Sequence, residues 1–161
     1  MTTASARFIC VAGWDKTPPP HLTSLEQFFF NAFIRDDVTS NVANVRTRAH
    51  LLEVAGHVVP VTVNWREYDN SFVCSPYSTF VRYLYDELAL INDPWLVGFL
   101  RTLTSAGALA LKAGQIDRVI QVNNWLISTN LYPELPDEFV GSATDFLKTE
   151  YPGHAVVFRS L

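Results

Sequence analysis

RTRAHLLEVAGHVVPVTVN, running from Arg46 to Asn64, alternates β-branched and polar residues on either side of Gly56. This is the pattern of two strands joined by a tight turn. Pro60 lacks the N–H that a central strand would use, so it implies an edge strand or a bulge. Working outward, Ser71-Phe72-Val73-Cys74 is strand-like, Ser75 can cap a helix, and Pro76 suits its first position. Tyr77, Val81, Leu84, Leu88 and Ile91 then recur at helical spacing and predict one buried face. Asn92-Asp93-Pro94 ends that helix and opens another to about Lys112, with Gly114 as its stop. Val119 to Val122 reads as a buried strand, Pro136 opens a last helix with Asp137 and Glu138 in its first turn, and Ala155 to Phe158 is a final strand. Upstream, Thr23 and Glu26 form a capping box for a helix through Phe28, Phe29 and Phe33, and Arg7 to Val11 is a candidate strand. The fold class is α+β, a mixed α/β chain: a β-sheet with a hairpin and several packed helices. Residues 1–22 read as a leader strand with a Pro-rich linker, centred on Lys16 to His21, and residues 23–161 as a single α/β domain.

Composition narrows the function classes. The chain has 161 residues, and 12 Lys+Arg against 16 Asp+Glu leave a net charge of −4, with no basic stripe to displace counterions from nucleic acid or an anionic membrane. Hydrophobic residues at 48% and aromatics at 13% exclude a disordered tail, while charged residues at 17% leave the surface short of charge. The residues from Met1 to Trp14 lack a basic region followed by an apolar run, and no window reads as the roughly 20 apolar residues of a bilayer span, so a cytoplasmic protein is expected. Cys10 and Cys74 are too few for a disulfide scaffold and are expected as free thiols. No zinc-type spacing, Walker loop or GxGxxG string occurs, so no metal site and no cofactor is indicated.

Three regions could carry chemistry. Cys74 stands before a capped helix, where free N–H groups and the helix dipole would favour a thiolate. Phe72 and Val73 are too large for a glycine-lined nucleophile turn, and a buried structural cysteine is the competing reading. A reactive Cys74 needs a base, for which His50, His57 and His154 are the candidates. The stretch from Trp65 to Asn70 gathers aromatic, amide and charged groups and brings forward Tyr68 and Asn70, either as pocket lining or as an exposed turn. Asn123-Asn124-Trp125 follows the strand at Val119–Val122, where open sheets bind ligands, and Ser128, Thr129, Asn130 and Tyr132 add polar groups beside it. Asparagine at a strand end is equally ordinary turn chemistry.

The strings EYDNSFVCSPY (67–77), VNNWLISTNLYP (122–133) and HAVVFRSL (154–161) together resemble the front part of bacterial proteins of the GNAT acyltransferase superfamily. The resemblance covers most of the chain after Arg46. It implies an acyltransferase-like domain that binds a small polar or acyl substrate, either half of a larger GNAT-type enzyme or a descendant that took the front part for another task. By that reading Cys74, Tyr68 and His154 are the reactive candidates, and Asn70, Tyr77, Asn123, Asn124, Trp125, Asn130 and Arg159 bind substrate. The family's Gln/Arg-x-x-Gly-x-Gly/Ala loop, which holds the coenzyme A pyrophosphate on backbone N–H groups, is absent. The nearest string, from Thr104 to Leu109, lies in a predicted helix. Acyl-CoA is therefore expected only if a partner or a further segment supplies that loop. The alternatives are a standalone biosynthetic enzyme with Cys74 as nucleophile, and a non-catalytic subunit or dimerising interaction domain. The scarcity of charge anticipates a surface covered by further sequence, a second copy or a partner chain.

Overall fold

The computed structural model describes residues 5–9, 22–32, 38–128, 130–131 and 134–160. Cys10, the linker at 16–21, Phe33, Thr129 and Tyr132 lie outside the described residues. Five strands form one mixed sheet: β1 (Ala6–Ile9), β2 (Arg48–Val54), β3 (His57–Asn64), β4 (Val119–Val122) and β5 (Ala155–Phe158), in spatial order β1-β2-β3-β4-β5. The first three pairings are antiparallel and the last, β4 with β5, is parallel. Among the described residues two short helices precede β2, α1 (Ser24–Phe30) and α2 (Val38–Asn41), and α1 carries the anticipated capping box between Thr23 and Glu26.

Side-chain alternation assigns the two faces of the sheet. Leu52, Val54, Val59, Val61, Val63, Ile120 and Val122 point to one face and are sealed by Phe139, Ala143 and Leu147 of α5 (Phe139–Glu150). On the other face Leu51 packs with Leu22, Phe30 and Trp125, while Cys74 and Val73 pack with Val38 and Val45. The hairpin turn is Ala55-Gly56, both at positive φ (52° and 82°), which matches the twist of the flanking strands.

Three local expectations change, and at Pro60 the bulge is selected over the edge strand. Residues 71–74 are not a strand: Cys74 N and Ser75 N both donate to Ser71 O, at 3.0 and 2.9 Å, closing successive turns. Both edges of β3 are already taken by β2 and β4, so no ladder is free for them. Pro60 is not on an edge strand, since β3 is central. Val61 is the last β3 residue paired with β4, opposite Val122, and Asn124 N donates to Pro60 O at 3.1 Å. Asn123 (φ 61°) and Asn124 thus oppose one residue, a bulge at the point where Pro60 has no N–H to offer. The helix after Ser75 contains a π-helical segment, Ser78–Arg82, before α3 (Tyr83–Leu88). The wider π turn breaks the 3.6-residue register, so Tyr77, Val81 and Leu88 are buried while Leu84 is 42% exposed. Finally, Pro136 makes a turn, with Phe139 N donating to Pro136 O, and α5 begins three residues later than anticipated.

The second long helix, α4 (Pro94–Ala113), matches its predicted bounds closely, with Asp93 Oδ1 accepting from Trp95 N and Leu96 N at its start. Contrary to the expectation from windowed hydrophobicity, α4 is long and apolar enough, by length and composition, to cross a membrane.

Candidate functional site

β4 and β5 run parallel, and β3 antiparallel to β4, so strand direction changes beside the carboxyl end of β4. Segments far apart in sequence converge there. The Asn124 side chain is fully buried, and the two N–H groups of Nδ2 are shared among Thr62 Oγ1 (2.8 Å), Val73 O (2.9 Å) and Gln121 Oε1 (3.1 Å). Its Oδ1 accepts from Leu126 N (3.1 Å) and from Arg159 Nη1 (2.6 Å), and the same guanidinium nitrogen donates to Val73 O at 3.0 Å. Gln121 Nε2 in turn donates to Cys74 O at 2.9 Å. One buried amide thereby ties the bulge after β4, the turn at 71–74 and the end of β5 together.

Asn123, in the left-handed conformation that asparagine tolerates best after glycine, turns its side chain the other way. Its Nδ2 donates to Leu131 O and Arg159 O, both at 2.8 Å, and its Oδ1 accepts from Trp125 Nε1 at 2.7 Å. Asn130 Oδ1 accepts from Trp125 N at 3.2 Å. Trp125 is stacked on Phe30 and is 7% exposed. Both asparagines therefore shape the loop as well as standing at the strand end. The guanidinium of Arg159, half-buried, meets only neutral oxygens among the described residues, and burial pulls its pKa below the ordinary value.

Cys74 is fully buried, and burial pushes its thiol pKa up to about 12, against the smaller opposing influence of Arg159 and Asn124. The thiolate is suppressed at neutral pH. We expect native protein to resist iodoacetamide at Cys74 at pH 8, with peptide mapping showing alkylation there only in denaturant; rapid labelling of the folded chain at this position would reverse that conclusion.

His154 immediately precedes β5, whereas Arg159 follows it, so the histidine and the Cys74 neighbourhood are separated by a strand length, roughly 13 Å for four residues. The two do not form a nucleophile and base pair. His154 packs edge-on to Trp65 and Tyr151, and both its ring nitrogens are buried. Burial lowers its pKa, with Arg118 adding to the effect and the backbone of Asn64 and Tyr151 and the Glu67 carboxylate partly opposing it, and His50 is likewise lowered by burial and by Arg48. A histidine with a depressed folded-state value loses stability as pH falls below its unfolded value of about 6.5. The melting temperature should accordingly drop between pH 7 and 5, and His154→Phe should flatten that decline; an unchanged slope in the variant would exclude His154 as a source.

Tyr68 and Tyr77 pack edge to face at 5.1 Å beneath Lys112, whose Nζ lies 5.4 and 4.9 Å from the two ring centroids. They belong to the junction with α4 and not to the strand-end cluster. Asn70, 2% exposed, accepts from Arg46 N (2.8 Å) and Ser71 N (2.9 Å) and donates to Arg46 O. Beside it a cleft of about 300 Å³ is lined in part by Asp69, Ser78, Arg82, Tyr83 and Asp86. Asp69 pairs with Arg46, which holds its carboxyl below the usual range.

No family model, curated protein or solved structure matches this chain.

Three further buried polar residues matter here, two inside the cluster and a third, Asp117, at the base of the segment that follows Ser71. Gln121 and Thr62 are polar positions inside apolar strands, and their alternation was the available signal. Asp117, fully buried, accepts from Ser75 Oγ (2.6 Å) and Tyr77 N (2.8 Å), and nothing in its local sequence marks it. Among the described residues no group of three or more His, Cys, Asp and Glu is placed to hold a metal. The N-terminus of α5, the helix that follows the β4 loop, carries the exposed carboxylates Asp137 and Glu138 and would repel a diphosphate.

Proposed function

We propose that this chain is a GNAT-like acyltransferase domain that binds a small polar or acyl substrate beside the carboxyl ends of β4 and β5, in a cytoplasmic setting. The observation that carries this reading is the meeting of Val73, Asn124 and Arg159, because these come from the three separate strings on which the resemblance rests. Ligands of open sheets favour such a point, outside the strand carboxyl ends where strand direction changes. Arg159 supplies a positive charge without a carboxylate among its described contacts, suited to a carboxyl or other anionic group, and Asn123 and Asn124 supply orienting amides. Coenzyme A would be held elsewhere, since the α5 N-terminus is acidic. Cys74 as a nucleophile is disfavoured by its burial.

A thermal-shift series tests the proposal. Amino-acid-like ligands, acetyl-CoA and longer acyl-CoAs are screened against the chain and against Arg159→Gln. Binding at a hundred times Kd stabilises the native state by about 2.7 kcal/mol, a shift of several degrees for a chain this size. A shift that disappears in Arg159→Gln is the expected result. Silence from every acyl-CoA and every amino-acid-like ligand would remove the reading.

The second reading, an interaction domain, is favoured by a different observation: the exposed apolar surface of α4.

A further inference from the structure

Helix α4 spans about 30 Å at 1.5 Å per residue. It rests on the π-helical segment and α3 through one stripe, in which Thr104 and Ala108 are buried and Val97, Leu100 and Leu111 are partly covered. Its other side faces solvent, yet it is not polar. Trp95 is 80% exposed, Phe99 56%, Leu103 60% and Leu109 71%. The two charged side chains of the helix, Arg101 and Lys112, fall on the back by helical position, and Lys112 is held over the rings of Tyr68 and Tyr77.

The free face has an order of its own. Leu96, Phe99, Leu103, Ala106, Ala110 and Ala113 follow one another at spacings of three, four, three, four and three. That is the seam of a helix that pairs with another helix. The seam is also graded, large in its first half and small in its second. If two copies pair antiparallel about a two-fold axis, Leu96 meets Ala113, Phe99 meets Ala110 and Leu103 meets Ala106, so every large side chain faces a small one. Close packing of facing helices requires that alternation, and a two-fold interface must be self-complementary in this way. Contact with lipid alone requires neither the spacing nor the gradient, both of which belong to helix-on-helix packing. The helix pair formed by α3 and α4 also lacks the Lys/Arg-rich polar face of a membrane-surface helix.

The area suffices. The seam residues Leu96, Phe99 and Leu103, with Trp95 and Leu109 on one flank and Phe80 and Leu84 on the other, expose on the order of 800 Å², which is what each partner contributes to an interface of standard size, so the interface takes in both flanks of the seam. With Arg101 and Lys112 on the back, the pairing brings no like charges together along the seam.

We infer that α4 is the interface of a homodimer in which two copies pack antiparallel along Leu96, Phe99, Leu103, Ala106, Ala110 and Ala113. The inference is independent of the proposed substrate site.

Light scattering and sedimentation of the full chain at tens of micromolar test it directly. The expected mass is twice 18.1 kDa. Leu103→Glu, which sets a carboxylate against Ala106 of the other copy, should weaken association more than a hundredfold and yield a monomer with an unchanged far-UV spectrum. Arg101→Glu, on the back of the helix, should remain a dimer. If Leu103→Glu fails to fold, Ala110→Glu places the charge against Phe99 and reads the same interface. Orientation is read in a Cys10→Ser background: chains carrying Leu96→Cys and Ala113→Cys should form a mixed disulfide under mild oxidation, whereas Leu96→Cys alone should not self-link. A monomeric wild-type chain, a dimer that survives both glutamate variants, or self-linking of Leu96→Cys would each overturn the proposal. So would a monomer that floats with neutral phosphatidylcholine vesicles, which would make lipid the occupant of this face.

Discussion

Asn124→Ala is expected to lower the stability of the chain by about 4 kcal/mol, read as a shift of the urea midpoint at constant slope. The amide has five hydrogen-bond partners at zero exposure, and alanine leaves them behind. Each orphaned buried group costs about 1–3 kcal/mol, more where charge is involved, and here the Arg159 guanidinium loses its shortest partner. Thr62 Oγ1 and Gln121 Oε1 lose a donor in the same step. Asn124→Asp separates the two sides of the amide. It keeps acceptors for Arg159 and Leu126 N but turns an oxygen towards Val73 O, and should fall between wild type and alanine. Because Arg159 and Asn124 share Val73 O, the double variant Asn124→Ala with Arg159→Met should cost less than the sum of the singles. Strict additivity would show that the two side chains act separately.

The hairpin was legible because its turn residues and alternation are local: Gly56 with strands on either side is enough. So were the Val119–Val122 and Ala155–Phe158 strands, where short apolar runs are bounded by polar turns, and the start of α4, where Asp93 and Pro94 are cap and first position. What could not be read was anything decided by a neighbour distant in sequence. Residues 71–74 have strand-like side chains, but the sheet has no free edge for them on β3, so they coil and present carbonyls to Gln121, Asn124 and Arg159 instead. The π-helical segment has no period signature, and it turns Leu84 out of the face that simple spacing assigns to it. Among the candidate residues, Cys74, Asn124 and Arg159 do gather at one place, and Asn123, Trp125 and Asn130 build the adjoining loop. Tyr68, Tyr77 and His154 stand apart, because aromatic and histidine side chains carry no sequence mark that separates core packing from chemistry. On the free side of α4 the scarcity of charge takes a local form, with Trp95, Phe99, Leu103 and Leu109 exposed there.

Asp117→Ala should detach the segment from Ser71 to Arg82 at its base, at a cost of about 3 kcal/mol at neutral pH. The carboxylate holds Ser75 Oγ, which itself accepts from Ser78 N, and it caps the helix start through Tyr77 N. Without it the hydroxyl and the amide are buried with no acceptor, and hydrogen exchange at Tyr77 and Ser78 should quicken before the sheet opens. Asp117→Asn separates charge from geometry. Burial raises the Asp117 pKa, and the hydrogen bonds from Ser75 and Tyr77 only partly oppose it. A carboxyl whose folded-state value is raised contributes its full stability below the unfolded value of about 3.9 and loses it as pH rises through the folded value. Wild type should therefore gain stability relative to Asp117→Asn as pH is lowered from 7 towards 4, whereas the Ala variant should remain the least stable of the three. A difference between wild type and Asn that grows in the opposite direction would mean that the charged form is the one the fold prefers, with its hydrogen bonds outweighing the cost of burial.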